Sequence, residues 1–310
     1  MRILQPGITL IEDSGRFGYQ AFGMATAGAC DSYAYRLGNV LVGNQGGEAS
    51  LEFALMGPTL EFEEEVTFAL TGGDFTPTLN DQPIPLWHSC KAGPGDTLAL
   101  GGVVSGRIGY LAVAGGIDVP VVMGSRSTYL RGRIGGLDGR ALHKGDVLPV
   151  GTGSIGTPGR QLDDEYIPFY PTEIAATVVL GPQDDWFTER GIATFLGSTY
   201  EVTNSSDRMG YRLQGEAIQH VKGADIISDG IPLGAVQVTG DDQPIIMLAD
   251  HQTTGGYTKI ATVVTPDIPK VAQASLGSLI RFQAISVREA NEAYRQYEER
   301  MKRAAWHLED

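Results

Sequence analysis

Six short runs of β-type residues, each shut off by Gly, Pro, Asp or Asn, constrain this chain more than any other feature: 51–55, 66–70, 110–114, 177–180, 244–248 and 279–282. Runs of this length, bounded by residues that favour turns, are the signature of strands joined by tight connections. The chain holds 42 glycines and 16 prolines but no Gly-X-Y period and no Ser/Gly tract, so its glycines punctuate elements rather than build a linker. A pattern Gly-Asp-x-Leu-x-x-Gly occurs at 95–101 and again at 145–151, and predicts a turn feeding a short strand in each copy. The expected fold class is therefore mainly β, with strand-turn units in closed or partly closed sheets.

Helix signals are few. Asp31 is a good N-cap, and Tyr33, Ala34, Leu37, Val40 and Leu41 follow at helical spacing until Gly43. Near the C-terminus, Ser286 and Glu289 have capping-box spacing, and Glu298–Lys302 and Glu299–Arg303 stand four apart, which predicts a solvated amphipathic helix over 287–303. Between 152 and 172 the strand pattern gives way to Gly, Thr, Pro and acidic residues. This predicts an N-terminal β domain over 1–155, a C-terminal β domain over 173–288, and a helix and tail over 289–310.

With a formal charge of −14, the chain lacks the clustered cations that displace counterions from phosphates, and no nucleic-acid role is assigned. No apolar run is long enough to span a bilayer, and the first residues lack the apolar stretch of a signal peptide, so a cytoplasmic location and no membrane partner are expected. Cys30 and Cys90 read as small apolar fillers, and His88, His143, His220, His251 and His307 are scattered without metal-ligand spacing, so no metal site is expected.

Four segments concentrate polar chemistry. Asp13 and Arg16 share a Gly-rich turn, where Arg16 reads either as a carboxylate-binding fork or as a brace for the loop. Ser125, Arg126, Ser127 and Thr128 set hydroxyls around a guanidinium beside the glycines at 132, 135, 136 and 139, a composition suited to an anionic or polar ligand. Ser206, Asp207 and Arg208 form a third group. The fourth, Asp250-His251-Gln252-Thr253-Thr254-Gly255-Gly256-Tyr257, follows an apolar strand and ends in a glycine pair that lets backbone approach a ligand. His251 has a side chain suited to general-base work, but a hydrogen-bonded structural histidine is the commoner case. Neither a Walker A loop nor a Gly-x-Ser-x-Gly elbow occurs.

Taken in order, Asp13-Ser14-Gly15-Arg16-Phe17-Gly18, Leu41-Val42-Gly43-Asn44 with Leu51-Glu52, Gly115-Gly116-Ile117-Asp118-Val119-Pro120, Gly124-Ser125-Arg126-Ser127-Thr128, Ser206-Asp207-Arg208-Met209-Gly210 and Gln252-Thr253-Thr254-Gly255-Gly256-Tyr257 resemble one family. It is the family described as allophanate hydrolase subunit 2, as biotin-dependent carboxyltransferases, and as antagonists of the sporulation-kinase inhibitor KipI, and it includes the C subunit of 5-oxoprolinase. The resemblance runs from Gly7 to about residue 284.

The resemblance implies two cyclophilin-like, mainly antiparallel β-barrel domains with few helices. It also implies a role in ATP-dependent hydrolysis of 5-oxoproline to glutamate. Two partner subunits are implied, one of the allophanate hydrolase subunit 1 or KipI family and one of the lactam-utilisation family. ATP, with Mg, would be shared with the complex, and no biotin would be attached to this chain. The alternatives it carries are a carboxyltransferase component of a urea carboxylase system and a non-enzymatic regulator of a kinase inhibitor.

On this reading Asp207, Arg208 and Asp250 are the catalytic candidates. Asp13, Arg16, Asp31, Ser125, Arg126, Ser127, Thr128, Ser206, Gln252, Thr253, Thr254, Gly255, Gly256 and Tyr257 are the candidates for binding substrate or anion. Arg16, Ser125, Arg208 and Thr254 are expected to meet in one pocket. His251 stands where the family usually has Arg, Thr258 where Pro is common, and Cys30 where a small or aliphatic residue is more usual.

Overall fold

The structure is a computed structural model that describes residues 1–152 and 156–308; the expected boundary at 155 lies outside the described residues. Two compact units emerge. One comprises Met1–Phe17, Ala27–Tyr170 and the chain from Glu299 onward, and the other Gly18–Thr26 and Pro171–Glu298. All six β-type runs fall in strands, and the described residues are mainly β with few helices.

The first unit holds β1 (Arg2–Gln5), β2 (Thr9–Glu12), α1 (Ser32–Leu41), β3 (Ser50–Ala54), β4 (Thr59–Glu61), β5 (Val66–Asp74), β6 (Thr78–Leu79), β7 (Gln82–Pro83), β8 (Ser89–Ala92), β9 (Thr97–Ala99) and β10 (Ser105–Val113). They form two five-stranded antiparallel sheets, ordered β1-β4-β9-β6-β7 and β2-β3-β10-β5-β8. Side chains alternate across a strand, so Ile11, Leu51, Phe53, Phe68, Leu70, Leu111 and Val113 leave the second sheet on one face, where they share a core with Ile3, Leu60 and Leu98 of the first.

The opposite face of the second sheet lies against α1 and is polar. The Asp31 carboxylate caps α1 by accepting from Ala34 N at 2.9 Å, a bond worth about 1 kcal/mol. Asp31 N–H donates to the Tyr110 hydroxyl at 2.8 Å, and that hydroxyl donates to Glu52 Oε2 at 2.6 Å. Burial and the Glu52 charge push the Tyr110 hydroxyl far above its usual pKa. A Cβ on Gly38 would stand 2.9 Å from Thr71 Oγ1, so the glycine allows α1 to lie close to β5.

Both copies of the repeated motif begin with a turn, at Gly95 (φ +88°) and Gly145 (φ +92°), and both bury their leucine, Leu98 and Leu148. The first copy continues into β9. The second makes only isolated pairings, Val147 with Arg2 and Val150 with Ile117, because its strand is broken by Pro149.

The second unit holds β11 (Glu173–Leu180), α2 (Glu189–Gly197), β12 (Tyr200–Val202), β13 (Gly210–Gln214), β14 (Asp225–Gly230), β15 (Ala235–Val238), β16 (Pro244–Met247), β17 (Thr254–Val263), α3 (Ile268–Ala272) and β18 (Leu279–Ala284). The sheet runs β11-β18-β12-β13-β16-β15-β17 and closes by pairing β17 with β11, which makes a ring; β14 is attached outside it, along the first residues of β17. All of these pairings are antiparallel except β11 with β18. Val178, Tyr211, Val236, Val238, Ile246, Leu248, Val263 and Ile280 fill the core of the ring. Phe195 of α2 stacks on Phe282 with centroids 4.4 Å apart, and its burial contributes about 2 kcal/mol.

The chain ends in α4 (Val287–Trp306), three residues longer than its spacing predicts. Its capping box is formed: Ser286 N–H donates to Glu289 Oε2 at 2.8 Å, and Glu289 N–H to Ser286 Oγ at 3.3 Å. Its last turns belong to the first unit, where Met301, Ala304 and Leu308 are buried and Arg300 lies over the Tyr166 ring at 5.4 Å. No helix among the described residues is long and apolar enough to cross a membrane.

Candidate functional site

In the first unit, segments more than a hundred residues apart knot around one carboxylate. Asp13 Oδ1 accepts from Ser125 Oγ (2.7 Å), Ser127 Oγ (2.5 Å) and Gly15 N (2.8 Å), while Oδ2 accepts from Arg126 N (2.5 Å). Thr128 is tied to Ile11 through its main-chain N–H and its hydroxyl, both 2.9 Å from Ile11 O. Arg16 is fully buried and donates to the carbonyls of Val122 (3.0 Å) and Ser127 (2.8 Å). A Cβ on Gly135 would overlap Ser127 O and lie 2.7 Å from Arg16 Nη2, which accounts for a glycine at φ +70° there.

The two serine hydroxyls of this motif thus point at the protein's own carboxylate, the Thr128 hydroxyl at a main-chain carbonyl, and Arg16 braces the loop. Arg126 is the member whose head reaches solvent, where it donates to Asp118 at 3.0 Å. Asp31 lies in the neighbouring network beneath α1, one loop away through Ala29 N–H to Asp13 O at 3.0 Å.

The second unit gathers the remaining candidates around the turn between β16 and β17. Arg208 grips Asp250 with two parallel bonds, Nε to Oδ2 at 3.1 Å and Nη2 to Oδ1 at 3.0 Å, and both side chains are largely buried. Asp250 N–H donates back to Arg208 O at 2.9 Å, which fixes the two loops to each other. Asp207 accepts from Met209 N at 2.8 Å in a local turn, and Ser206 Oγ accepts from Arg212 N at 3.0 Å. Thr253 O accepts from Ile231 N, Thr254 and Gly255 pair with Gly230 and Asp229, and Tyr257, 40% exposed, pairs with Asp225; all of these bind the turn to β14 or the segment after it. Of the four residues expected to share a pocket, Arg16 and Ser125 belong to the first unit and Arg208 and Thr254 to the second.

His251 is buried, and its Nδ1 lies 2.8 Å from Gln252 O, so Nδ1 carries the proton. Burial lowers its pKa below the usual imidazole value, and a neutral ring replaces the fixed charge an Arg would bring. The native state therefore binds this proton less readily than the unfolded chain. Stability from His251 is complete above the unfolded pKa of about 6.5 and is lost as pH falls toward the folded pKa, with a limiting slope of about 1.4 kcal/mol per pH unit. Denaturant unfolding between pH 7.5 and 5 should show this loss in the parent protein and not in His251→Gln; identical pH profiles would contradict it.

Thr258 also has a physical account. Its N–H donates to Ala224 O at 2.9 Å, a bond proline cannot make, and its hydroxyl lies 3.0 Å from His220 Nε2.

Two buried polar residues of this unit, Gln237 and Lys259, escape a reading of the sequence. Each sits in a strand where a polar residue ordinarily marks the solvent face, yet each is 1% exposed. The one available signal is the flanking of Gln237 by Val236 and Val238 in an otherwise apolar strand. Among the described residues no group of His, Cys, Asp and Glu is arranged to hold a metal ion.

The family model described as "Carboxyltransferase domain, subdomain A and B" matches residues 22–284. The chain belongs to this carboxyltransferase-domain family. Within it, the chain is 37% identical to the C subunit of 5-oxoprolinase from Escherichia coli over 309 residues, 99% of this chain and 98% of that protein. It is also 37% identical to the protein of the same name from Haemophilus influenzae, over 93% of this chain and 92% of that one. The crystal structure of the K. lactis urea amidolyase superposes with a TM-score of 0.92 at 32% identity, covering 98% of this chain but 20% of the amidolyase.

Proposed function

We propose that the chain is the C subunit of a 5-oxoprolinase, acting in the cytoplasm with partner subunits to hydrolyse 5-oxoproline to glutamate with ATP. The observation that carries this reading is sequence identity: the chain is 37% identical to its Escherichia coli relative over 98% of that protein, against 32% to the urea amidolyase over 20% of that chain. The lactam carbonyl is a weak electrophile. Transfer of the γ-phosphoryl group of ATP, held with Mg by the complex, to its oxygen would open C5 to a first water. The C5–N bond then breaks as nitrogen takes a proton, leaving an acyl phosphate, and a second water at C5 expels phosphate, with the former lactam oxygen, to give glutamate.

In this reading Arg208, preset by Asp250, donates to oxygens that gain negative charge, with Asp207 holding the Arg208 turn. Gln252, Thr253, Thr254, Gly255, Gly256 and Tyr257 line the ligand, and Ser206 anchors the strand that follows Arg208. In the first unit, Asp13, Arg16, Asp31, Ser125, Ser127 and Thr128 are positioning residues, and Arg126 offers the accessible cation. The partners are one protein of the allophanate hydrolase subunit 1 family and one of the lactam-utilisation family.

Mixing the three purified components should give glutamate and ADP in equal amounts, dependent on 5-oxoproline, and omission of this chain should abolish both. The family description and the urea amidolyase match support a second reading, a carboxyltransferase component. Consumption of urea and carboxybiotin, with 5-oxoproline left untouched, would select it.

A further inference from the structure

The outer face of the ring in the second unit contains a buried hydrogen-bonding group with nothing to bond. Val236 and Val238 point into the core, so Gln237 between them points the other way, beside the small apolar cluster of Ile231, Ala235, Ile245 and Met247. Its Nε2 is buried and has no hydrogen-bond partner among the described residues. A buried amide donor left unmade is destabilising, so a native fold that retains one calls for an explanation, and a functional role is one.

Three neighbours define what surrounds this amide. Lys259 is directly across the ladder from Gln237 and is itself buried, and its ammonium is committed to Asp229 Oδ2 at 3.0 Å. That ion pair holds the Asp229 carboxyl below its usual pKa, so the pair stays formed and internally neutral near pH 7. Gly255 passes over the group. A Cβ there would lie 3.1 Å from Gln237 Nε2 and 3.6 Å from Gln252 Nε2, as well as against Ile231 Cδ1 at 2.6 Å. Any other residue would cover both amides. The strand segment carrying Gly255 and Gly256 pairs on this side with β14, whose other edge pairs with no strand among the described residues and whose Ile227 is 93% exposed.

We propose that Gln237 and Gln252, converging at Gly255, form a recognition site for the uncharged amide edge of a small molecule, an N–H beside a C=O. One edge of a carboxamide head presents an N–H donor beside the C=O acceptor in a plane, and pairs with such an edge through two hydrogen bonds. An oxyanion in the place of that edge fits less well, since the nearby Lys259 charge is already spent on Asp229. Lactams and ureas share the required edge. Assigning the ligand as 5-oxoproline rests on the function proposed above; the amide-binding site itself does not.

The test uses the isolated full chain, labelled with 15N, and side-chain amide signals assigned through Gln237→Leu and Gln252→Leu. Titration with 5-oxo-L-proline should move both signals, and L-proline, which lacks the amide edge, should move neither. Gln237→Leu should weaken 5-oxoproline binding about tenfold, as expected for one lost hydrogen bond in a site built to make it. The same variant should keep or raise the melting temperature, because it removes an unpaired buried amide; a merely structural glutamine would lower it. Urea moving the two signals while 5-oxoproline does not would uphold the site and remove the 5-oxoprolinase reading. Silence from both ligands, or a lowered melting temperature in Gln237→Leu with binding unchanged, would overturn the proposal.

Discussion

Asp13→Ala should lower the unfolding free energy of the first unit by about 3 kcal/mol or more. The substitution strands two serine hydroxyls and two main-chain N–H groups that now share one buried carboxylate, and bonds to a charged acceptor are each worth about 1.5–3 kcal/mol. Asp13→Asn should recover only part of this, because its amide N–H2 faces a donor wherever it is turned. Differential scanning calorimetry is the appropriate measurement. With two compact units the chain need not melt in one step, and the loss should fall on the transition of the first unit. A change below about 1 kcal/mol would show that the four bonds are replaced by water or relaxation.

The largest effect on activity is expected at Arg208. In the assembled complex, Arg208→Ala should reduce turnover about a hundredfold or more if its guanidinium stabilises developing charge. Arg208→Lys should restore little of it, since a single ammonium cannot reproduce the two parallel bonds to Asp250. Removing Arg208 also leaves Asp250 buried without its cation, a destabilisation of about 3–5 kcal/mol in comparable sites, so assembly and circular dichroism must be checked at the assay temperature. Near-normal turnover in a folded, assembled Arg208→Ala complex would make the pair a structural clamp.

The strands were legible because their boundaries are chemical: a short β-type run between Gly, Pro, Asp or Asn has few other ways to fold. The helices at 32–41 and 287–306 announced themselves through Asp31 and through the Ser286–Glu289 box. The helix at 189–197 did not. Gly191 and Gly197 dilute its apolar period, although Thr188 caps it by accepting from Gly191 N at 2.9 Å. The five-residue turn at 268–272 is too short to show a period.

At the sites, composition located the right segments but left their direction open. Ser125, Ser127 and Arg16 read equally as ligand donors or as internal ties, and only the fold shows that the serines serve Asp13 and that Arg16 serves carbonyls. Gln237 and Lys259 were hidden for the converse reason. Their burial comes from a strand attached outside the ring, a pairing between distant segments that no local pattern records.

The central claim is that this chain helps convert the oxygen of a lactam carbonyl into a phosphate leaving group. It is tested most directly by supplying the complete three-component assembly with ATP and 5-oxoproline labelled with 18O in the ring carbonyl. The inorganic phosphate released should carry 18O, at one atom per glutamate formed. Glutamate forming with all of the label retained in its carboxylate, or no glutamate forming at all, would contradict it.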